Sequence, residues 1–452
     1  MAFWLYNILL VLGAPVIVAV MLAKARCRPG LPYRWGLRSP VLEAGRTPSS
    51  QVVWIHAVSL GEVVAVVPLV KSLHARDPTR TIVVSTVTET GREAVVQRLE
   101  GTATHCYAPL DFPWVVRRFI RTLRPSVYVF VETELWPNLL TAMDQARVPT
   151  VLVNGRISSR SFARQQWPGV RHVYARLLEK VSMCLMQSDR DAARIVALGA
   201  QPERVRRVGN IKFDQPLPTV APAQLDAIRR WFERTPGGHV LVAGSTHPGE
   251  EEVLLRACMI VKEQFPDFHL VLAPRHIERA GELVHLIRSH NMGLVRRSQL
   301  NTLDGDEDSW ILLLDSRGEL GAVYQFATVT FVGGTLVPVG GHNLLEPAAW
   351  GKPVLFGPHT DHCQDIANLL EGAGGGVRVA GRQELVHTIS RWFTDPISRD
   401  QAGRIAEQTV RENRGALQQC QAVVESFLES GSGQRASPQA VVHGQSMRIG
   451  PA

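Results

Sequence analysis

The sequence predicts an α/β protein: two consecutive doubly wound halves behind an N-terminal membrane helix. Three observations carry this. From residue 51 onward, short apolar β-branched runs alternate with helical stretches. That pattern is interrupted once, by a proline-rich segment, and then restarts. The first 25 residues hold an uncharged apolar stretch unlike anything later in the chain. At 452 residues, with 45% hydrophobic and 20% charged side chains, the chain can bury two full cores and is not a disordered polymer. The formal net charge of +8 permits an anionic partner without naming one. Six scattered cysteines with no C-x-x-C pair argue against a disulfide framework or a zinc ribbon.

Phe3–Ala23 reads FWLYNILLVLGAPVIVAVMLA, without a charge. At ~1.5 Å per residue, about 21 residues reach ~31 Å, the thickness of a bilayer core. Only Met1 and Ala2 precede it, too little for the basic n-region of a cleaved signal peptide. Lys24, Arg26, Arg28, Arg34 and Arg38 follow it. By the positive-inside rule the body then faces the cytoplasm, with residues 1–25 as a single-pass anchor. The basic flank meets anionic headgroups there.

In the first half, residues 26–213, strands are expected at Val52–His56, Thr81–Ser85, Ser126–Val131, Thr150–Asn154, Cys184–Gln187 and Arg206–Val208. Helices are expected from about Gly61 to Ala75 and from about Gly91 to Leu99. Residues 214–223 (DQPLPTVAPA) form a linker. In the second half, residues 224–430, strands are expected at His239–Ala243, His269–Ala273, Trp310–Asp315, Val329–Val332 and Pro353–Phe356. A long helix from about Arg399 to Ser430 closes it, and residues 431–452 read as a disordered tail. Strand–helix alternation means parallel sheets covered on both faces, with ligands beyond the carboxyl ends of the strands and, with two sheets, in the cleft between them.

Four groups of residues stand out at strand ends. In 331–358, a strand leads into a loop with Gly333, Gly334, Gly340 and Gly341, then a helix opening at Asn343 with Glu346 one turn in. Such a loop and helix start can meet an anion, and Glu346 can hold ribose hydroxyls; Asn343-x-x-Glu346 is equally a capping box. The spacing is neither G-x-G-x-x-G nor a P-loop. In 54–70, Glu62 opens a helix after Ser59 and Gly61: a capping box, or a general base for a hydroxyl. In 129–140, Glu132 and Glu134 share a side if the strand continues, and two like carboxylates at a strand end favour function over structure. Arg156, Lys212, Arg275 and His276 supply cations near strand ends, and Ser245 and Thr246 lie at another strand–helix junction. No metal-binding constellation and no G-x-S-x-G elbow is present; Asp304–Asp308 reads as a solvated acidic turn.

The segments HAVSLGE, ETELWPNLL, NGRIS, GNIKFD, GSTHPGEE, LAPRH, the GE of DSRGELG and GGHNLLEPA, in this order, resemble the bacterial 3-deoxy-D-manno-octulosonic acid (Kdo) transferase family. The resemblance covers about residues 1 to 425 and implies the GT-B fold, two Rossmann-like domains around a cleft. It implies inverting transfer of Kdo from CMP-Kdo to the lipid A precursor at the inner membrane, with no cofactor, metal or nucleic acid. It implies Glu62 as general base, and Glu132 and Lys212 as stabilisers of the transition state. It gives Pro274 and Arg275, then Arg317, Gly318 and Glu319, then Asn343, Leu344, Leu345 and Glu346 as the CMP-binding segments. The competitors are another GT-B enzyme, such as a UDP-sugar transferase or an epimerase, and a non-enzymatic nucleotide-binding scaffold. An epimerase predicts no anchor, and a decayed scaffold predicts loss of the acidic groups.

Overall fold

The computed structural model describes residues 2–23, 30–38, 51–216, 220–233, 238–300 and 309–430. The flank residues Lys24, Arg26 and Arg28, the middle of the linker, Asp304–Asp308 and the tail after Ser430 lie outside the described residues. Two units form: one from the chain up to Gln215 together with the segment from Arg414, the other from Pro216–Asn413.

The first unit is built on seven parallel strands, β1 (Val52–His56), β2 (Thr81–Thr86), β3 (Thr104–Tyr107), β4 (Val127–Val131), β5 (Thr150–Gly155), β6 (Met183–Met186) and β7 (Val205–Arg207). They are ordered β3-β2-β1-β4-β5-β6-β7. All five residues of β1 are buried, as a strand covered on both faces requires. Their side chains alternate between two cores: Val53 and Ile55 face one, Val52 and Trp54 the other. Chain order reverses between β1 and β4, the point at which sheets of this kind bind ligands beyond the strands' carboxyl ends.

The second unit repeats the plan with β8 (Val240–Thr246), β9 (His269–Pro274), β10 (Leu294–Arg296), β11 (Ile311–Leu313), β12 (Val329–Val332), β13 (Val354–Phe356) and β14 (Gly376–Arg378), all parallel. The order is β10-β11-β9-β8-β12-β13-β14, so its reversal lies between β8 and β12. Three strands escape the sequence reading: β3, β10 and β14. Each has only one buried residue, too little apolar signal to separate from a loop.

The expected closing helix is two helices, Pro396–Glu412 and Ala416–Glu429. Gly415, at φ +103°, makes the break. The second helix buries Ala416, Cys420, Val423, Val424 and Leu428 in a core of the first unit, against the Leu60–Arg76 helix. Asp214 caps it, accepting from the N–H groups of Gly415 (2.6 Å) and Leu417 (2.8 Å). The boundary of the second half at residue 430 is therefore corrected: the chain returns to the first unit at Arg414. An amphipathic helix carries no label saying which of two sheets its apolar stripe covers.

Ala2–Ala23 is one helix with Pro15 inside it, long and apolar enough to cross a membrane. It also touches the first unit. Tyr6 donates to Asp111 (2.9 Å), Asn138 donates to Asn7 (2.7 Å), and Leu10 and Ala14 pack on a core cluster. Arg34, expected among headgroups, is instead buried and donates to the Ala108 carbonyl.

Candidate active site

In the first unit the chemistry gathers at the reversal between β1 and β4. After β1, the turn Ala57–Ser59 leads into the Leu60–Arg76 helix, which Ser59 caps by accepting from the Glu62 N–H. The Glu62 carboxylate closes the box, accepting from Val58 N–H (2.8 Å) and the Ser59 hydroxyl (2.9 Å). The capping role is thus real, yet it does not use up the residue. Burial pushes the Glu62 carboxyl up to about 7; its two hydrogen bonds oppose this, and the charges of Glu132 and Glu134 add to it. A carboxylate poised near neutrality is a competent general base.

Glu132 directly follows β4, and the strand stops at Val131, so the condition on which Glu132 and Glu134 were expected to share a side is not met. Glu132 sits at φ +59°, in the left-handed region that a non-glycine residue enters at a cost of about 1 kcal/mol or more. A bond from its N–H to the Val153 carbonyl (3.0 Å) holds the turn. Glu134 is reached through that turn and accepts from the Trp136 indole (2.8 Å). Both carboxylates still act electrostatically on Glu62. Asn154, at the end of β5, is left-handed too (φ +55°), and its amide oxygen accepts from Ile211 N–H. That bond ties down the short helical turn Ile211–Asp214, which carries Lys212. Lys212 makes no ion pair among the described residues, while its neighbour Asp214 serves the helix cap described above. Arg156 follows β5 directly.

The first residue of the HAVSLGE motif has a different job. His56 is fully buried, bonds Ser85 through Nδ1 (2.9 Å) and meets Trp136 edge-on at 5.2 Å. Burial lowers it to about 3, with Arg34 adding to the shift, so it is a neutral core residue supporting the Trp136 turn.

In the second unit the motifs meet at the reversal between β8 and β12. Gly333 follows β12 so closely against β8 that a Cβ there would lie 2.5 Å from the Ser245 carbonyl oxygen. The sequence reading expected the glycines to let a ligand approach the backbone and the helix start at Asn343 to offer N–H groups to an anion. The loop's own N–H groups are taken: Glu250, at the start of the helix after β8, accepts from Gly334 (2.7 Å), Thr335 (2.9 Å), Leu336 (2.8 Å) and His247 (3.0 Å) N–H groups. The N–H groups of Gly340 and Gly341 both go to the Gly334 carbonyl. Glu250, which takes the bonds from Gly334, Thr335 and Leu336, is fully buried.

What the loop presents is a histidine pair. His247 and His342 bring their Nε2 atoms to 2.7 Å, with rings stacked 7° apart, and His276 meets His247 edge-on at 5.7 Å. Burial lowers both, His342 to about 4 with neighbouring histidines and Arg275 contributing. Two neutral rings therefore share one hydrogen bond. Sequence reading missed the pair because the two residues lie 95 positions apart.

Of the expected nucleotide segments, Pro274 ends β9 and Arg275 follows it, its N–H bonded to Thr246 (3.0 Å). Asn343 accepts from Leu345 N–H (3.1 Å) and donates to the Glu346 carboxylate (3.1 Å), so the expected capping box becomes a side-chain pair at the start of the Leu345–Ala349 helix. Leu344 is buried beneath it. Arg317 is exposed and paired to Glu278, and Gly318 turns at φ +85°. Glu319 is buried, paired to Arg297 (2.8 Å) and bonded by Ser316, so its carboxylate already has partners. Among the described residues, no group of three or more His, Cys, Asp or Glu is arranged to hold a metal.

The family described as 3-deoxy-D-manno-octulosonic-acid transferase (kdotransferase) matches residues 31–215. A 3-deoxy-D-manno-octulosonic acid transferase of Haemophilus influenzae is 32% identical over 430 residues, 94% of this chain and 98% of its own length. One of Bordetella pertussis is also 32% identical over 430 residues, covering 92% and 97%. A putative UDP-N-acetylglucosamine 2-epimerase of Listeria monocytogenes superposes with a TM-score of 0.54 at 14% identity, over 85% of this chain and 98% of its own; that likeness is one of fold.

Proposed function

The chain belongs to the 3-deoxy-D-manno-octulosonic acid (Kdo) transferase family and is a glycosyltransferase of lipopolysaccharide synthesis; we propose that it moves Kdo from CMP-Kdo to the lipid A precursor with inversion at the anomeric carbon. Glu62 takes the proton of the acceptor sugar's hydroxyl. The oxygen bonds the anomeric carbon as the bond to the CMP phosphate breaks, and the electron pair leaves with CMP. Glu132 and Lys212 stabilise the charge that develops. Arg275 meets the nucleotide phosphate, Glu346 holds ribose hydroxyls, and the Arg317–Gly318 turn contributes backbone. The leaving group is a monophosphate, so fixed cations can meet its charge and the reading requires no metal. The N-terminal helix keeps the body at the cytoplasmic face of the inner membrane, where a lipid acceptor is presented.

The observation that carries this reading is the buried Glu62 carboxyl, raised to about 7 beside Glu132 and Glu134 at a strand reversal. A helix cap needs no further carboxylates near it, and the charges of Glu132 and Glu134 both act on Glu62. The test is to incubate the protein with lipid A precursor, Kdo, CTP and the activating synthetase, and to weigh the lipid by mass spectrometry. A gain of whole Kdo residues is expected, and their number is read from the same spectrum. An unchanged lipid in the presence of demonstrable CMP-Kdo overturns the reading.

A further inference from the structure

We infer that the N-terminal helix lies along one leaflet of an anionic phospholipid bilayer, docked lengthwise on the first unit, rather than crossing the membrane. Its exposures repeat with a helical period. Tyr6, Asn7, Leu10, Ala14, Ile17 and Met21 are shaded or buried, while Leu5, Leu9, Leu12, Val16 and Val20 are exposed, Leu12 by 71%. The contacts with the first unit fall on Tyr6, Asn7, Leu10 and Ala14, a length of ~12 Å at ~1.5 Å per residue. A helix held to the body at its N-terminal end cannot carry that end across the bilayer.

The lock at its N-terminal end is polar. Asp111, itself buried, accepts from the Tyr6 hydroxyl and from the N–H groups of Asn138 (2.9 Å) and Leu139 (2.8 Å), and so caps the Pro137–Gln145 helix. Asn138 also holds Asn7. A crossing helix carries Tyr6 and Asn7 to the far side of the bilayer, which takes the Tyr6 hydroxyl from the buried Asp111 and Asn7 from Asn138. The exposed stripe that remains is wholly apolar, which fits acyl chains. The neighbouring surface fits headgroups: the Pro113–Leu123 helix, two residues beyond Asp111, exposes Trp114, Arg117, Arg118 and Arg121 on one face. Leu37, 75% exposed, follows Gly36, which packs against Val115 and Arg118 of that helix. Asn138 stands in the first turn of the helix that follows Glu132 and Glu134, so the lock lies next in the chain to the loop bearing the catalytic carboxylates. This last consequence rests on the transferase reading: a lipid-borne acceptor reaches Glu62 with its acyl chains still in the leaflet.

Nitroxides placed at Leu5, Leu9, Leu12, Val16 and Val20 of the full chain, with Cys27→Ser, and reconstituted in vesicles containing phosphatidylglycerol, report depth and oxygen access. A level depth along all five sites, with high oxygen access, is expected. A depth that peaks near Leu12 and falls at both ends means a crossing helix and overturns the inference. Low oxygen access along the whole stripe means another protein covers it, and overturns it equally. In a second arm, an epitope tag ahead of Met1 is expected to be cut by protease added on the side of the body; protection there overturns the inference. Kdo transfer on the same vesicles separates the two readings. Transfer with a peaked depth profile discards only the lengthwise helix, and a level profile without transfer discards only the enzyme.

Discussion

Glu62, in the first turn of the helix after β1, and Glu132, directly after the adjacent strand β4, are coupled: the charge of the second raises the proton affinity of the first. Sequence places them 70 positions apart; the strand order makes them neighbours. Transfer should therefore rise with pH through about 7, as Glu62 loses its proton and becomes able to accept one. Glu62→Gln is expected to lower kcat by ~10²- to 10⁴-fold and leave CMP affinity unchanged. Glu132→Gln removes a like charge and should move the acidic limb of the remaining activity downward. A rate for Glu62→Gln within tenfold of wild type removes Glu62 as the base.

The same group makes stability depend on pH. The folded state holds the Glu62 proton up to about 7, while the unfolded chain releases it near 4.5. The protonated form costs nothing extra below ~4.5, and stability falls as pH rises through about 7. The full shift corresponds to about 3 kcal/mol. Urea unfolding of wild type and Glu62→Gln between pH 4 and 8 should show the wild type losing ground across that window. Parallel curves mean that Glu62 titrates as an ordinary carboxylate.

Glu250 is expected to be the most costly single carboxylate to neutralise in the second unit. Glu250→Gln turns an amide NH2 toward backbone N–H groups that now point at a carboxylate oxygen. A loss of about 2–4 kcal/mol is expected, seen as a fall in Tm of roughly 5–15 °C, with weakened CMP binding because the loop carrying His342 loosens. Glu252→Gln, two residues on and outside this network, is the control. Equal effects from the two changes show that Glu250 does not organise the loop.

Arg275→Ala and Glu346→Ala should each weaken CMP binding ten- to a hundredfold, from about 1.5–3 kcal/mol for a hydrogen bond to a charged group. The arginine effect should shrink with cytidine, which lacks the phosphate; the glutamate effect should persist, because the ribose remains. Titration calorimetry with both ligands decides. Equal arginine losses for the two ligands exclude Arg275 as the phosphate contact.

The histidine pair gives a further test on the same site. His247 and His342 are neutral at pH 7, and an arriving phosphate stabilises their protonated form. Arg275, Arg279, His276 and His362 oppose protonation, and Glu250 favours it. Calorimetry of CMP binding near pH 6, in buffers of different ionisation enthalpy, should show more proton uptake by wild type than by His342→Asn. The difference removes the phosphate's own titration. Identical uptake places the phosphate away from the pair.

By itself the sequence determined the two-sheet α/β plan, because a strand buried on both faces must be a continuous apolar run, as VVWIH and VYVFV are. It determined the apolar N-terminal helix and the motifs at the strand ends, because turn residues and lone carboxylates between apolar runs are visible in one dimension. Edge strands such as THCY carry one buried residue and had no such signal. Tertiary structure decided the rest, since each of those outcomes depends on which distant groups meet. Asn343-x-x-Glu346 and Ser59-x-x-Glu62 read alike as capping boxes, yet only Glu62 has two more carboxylates brought to its side by strand order. The glycine-rich loop looked open to close approach by a ligand, and Glu250, more than 80 positions earlier, is what its N–H groups meet. The last helix could cover either sheet, and its apolar stripe met the first. In each case local pattern fixes what a residue can do, and long-range packing selects which partner, and therefore which charge state, it has.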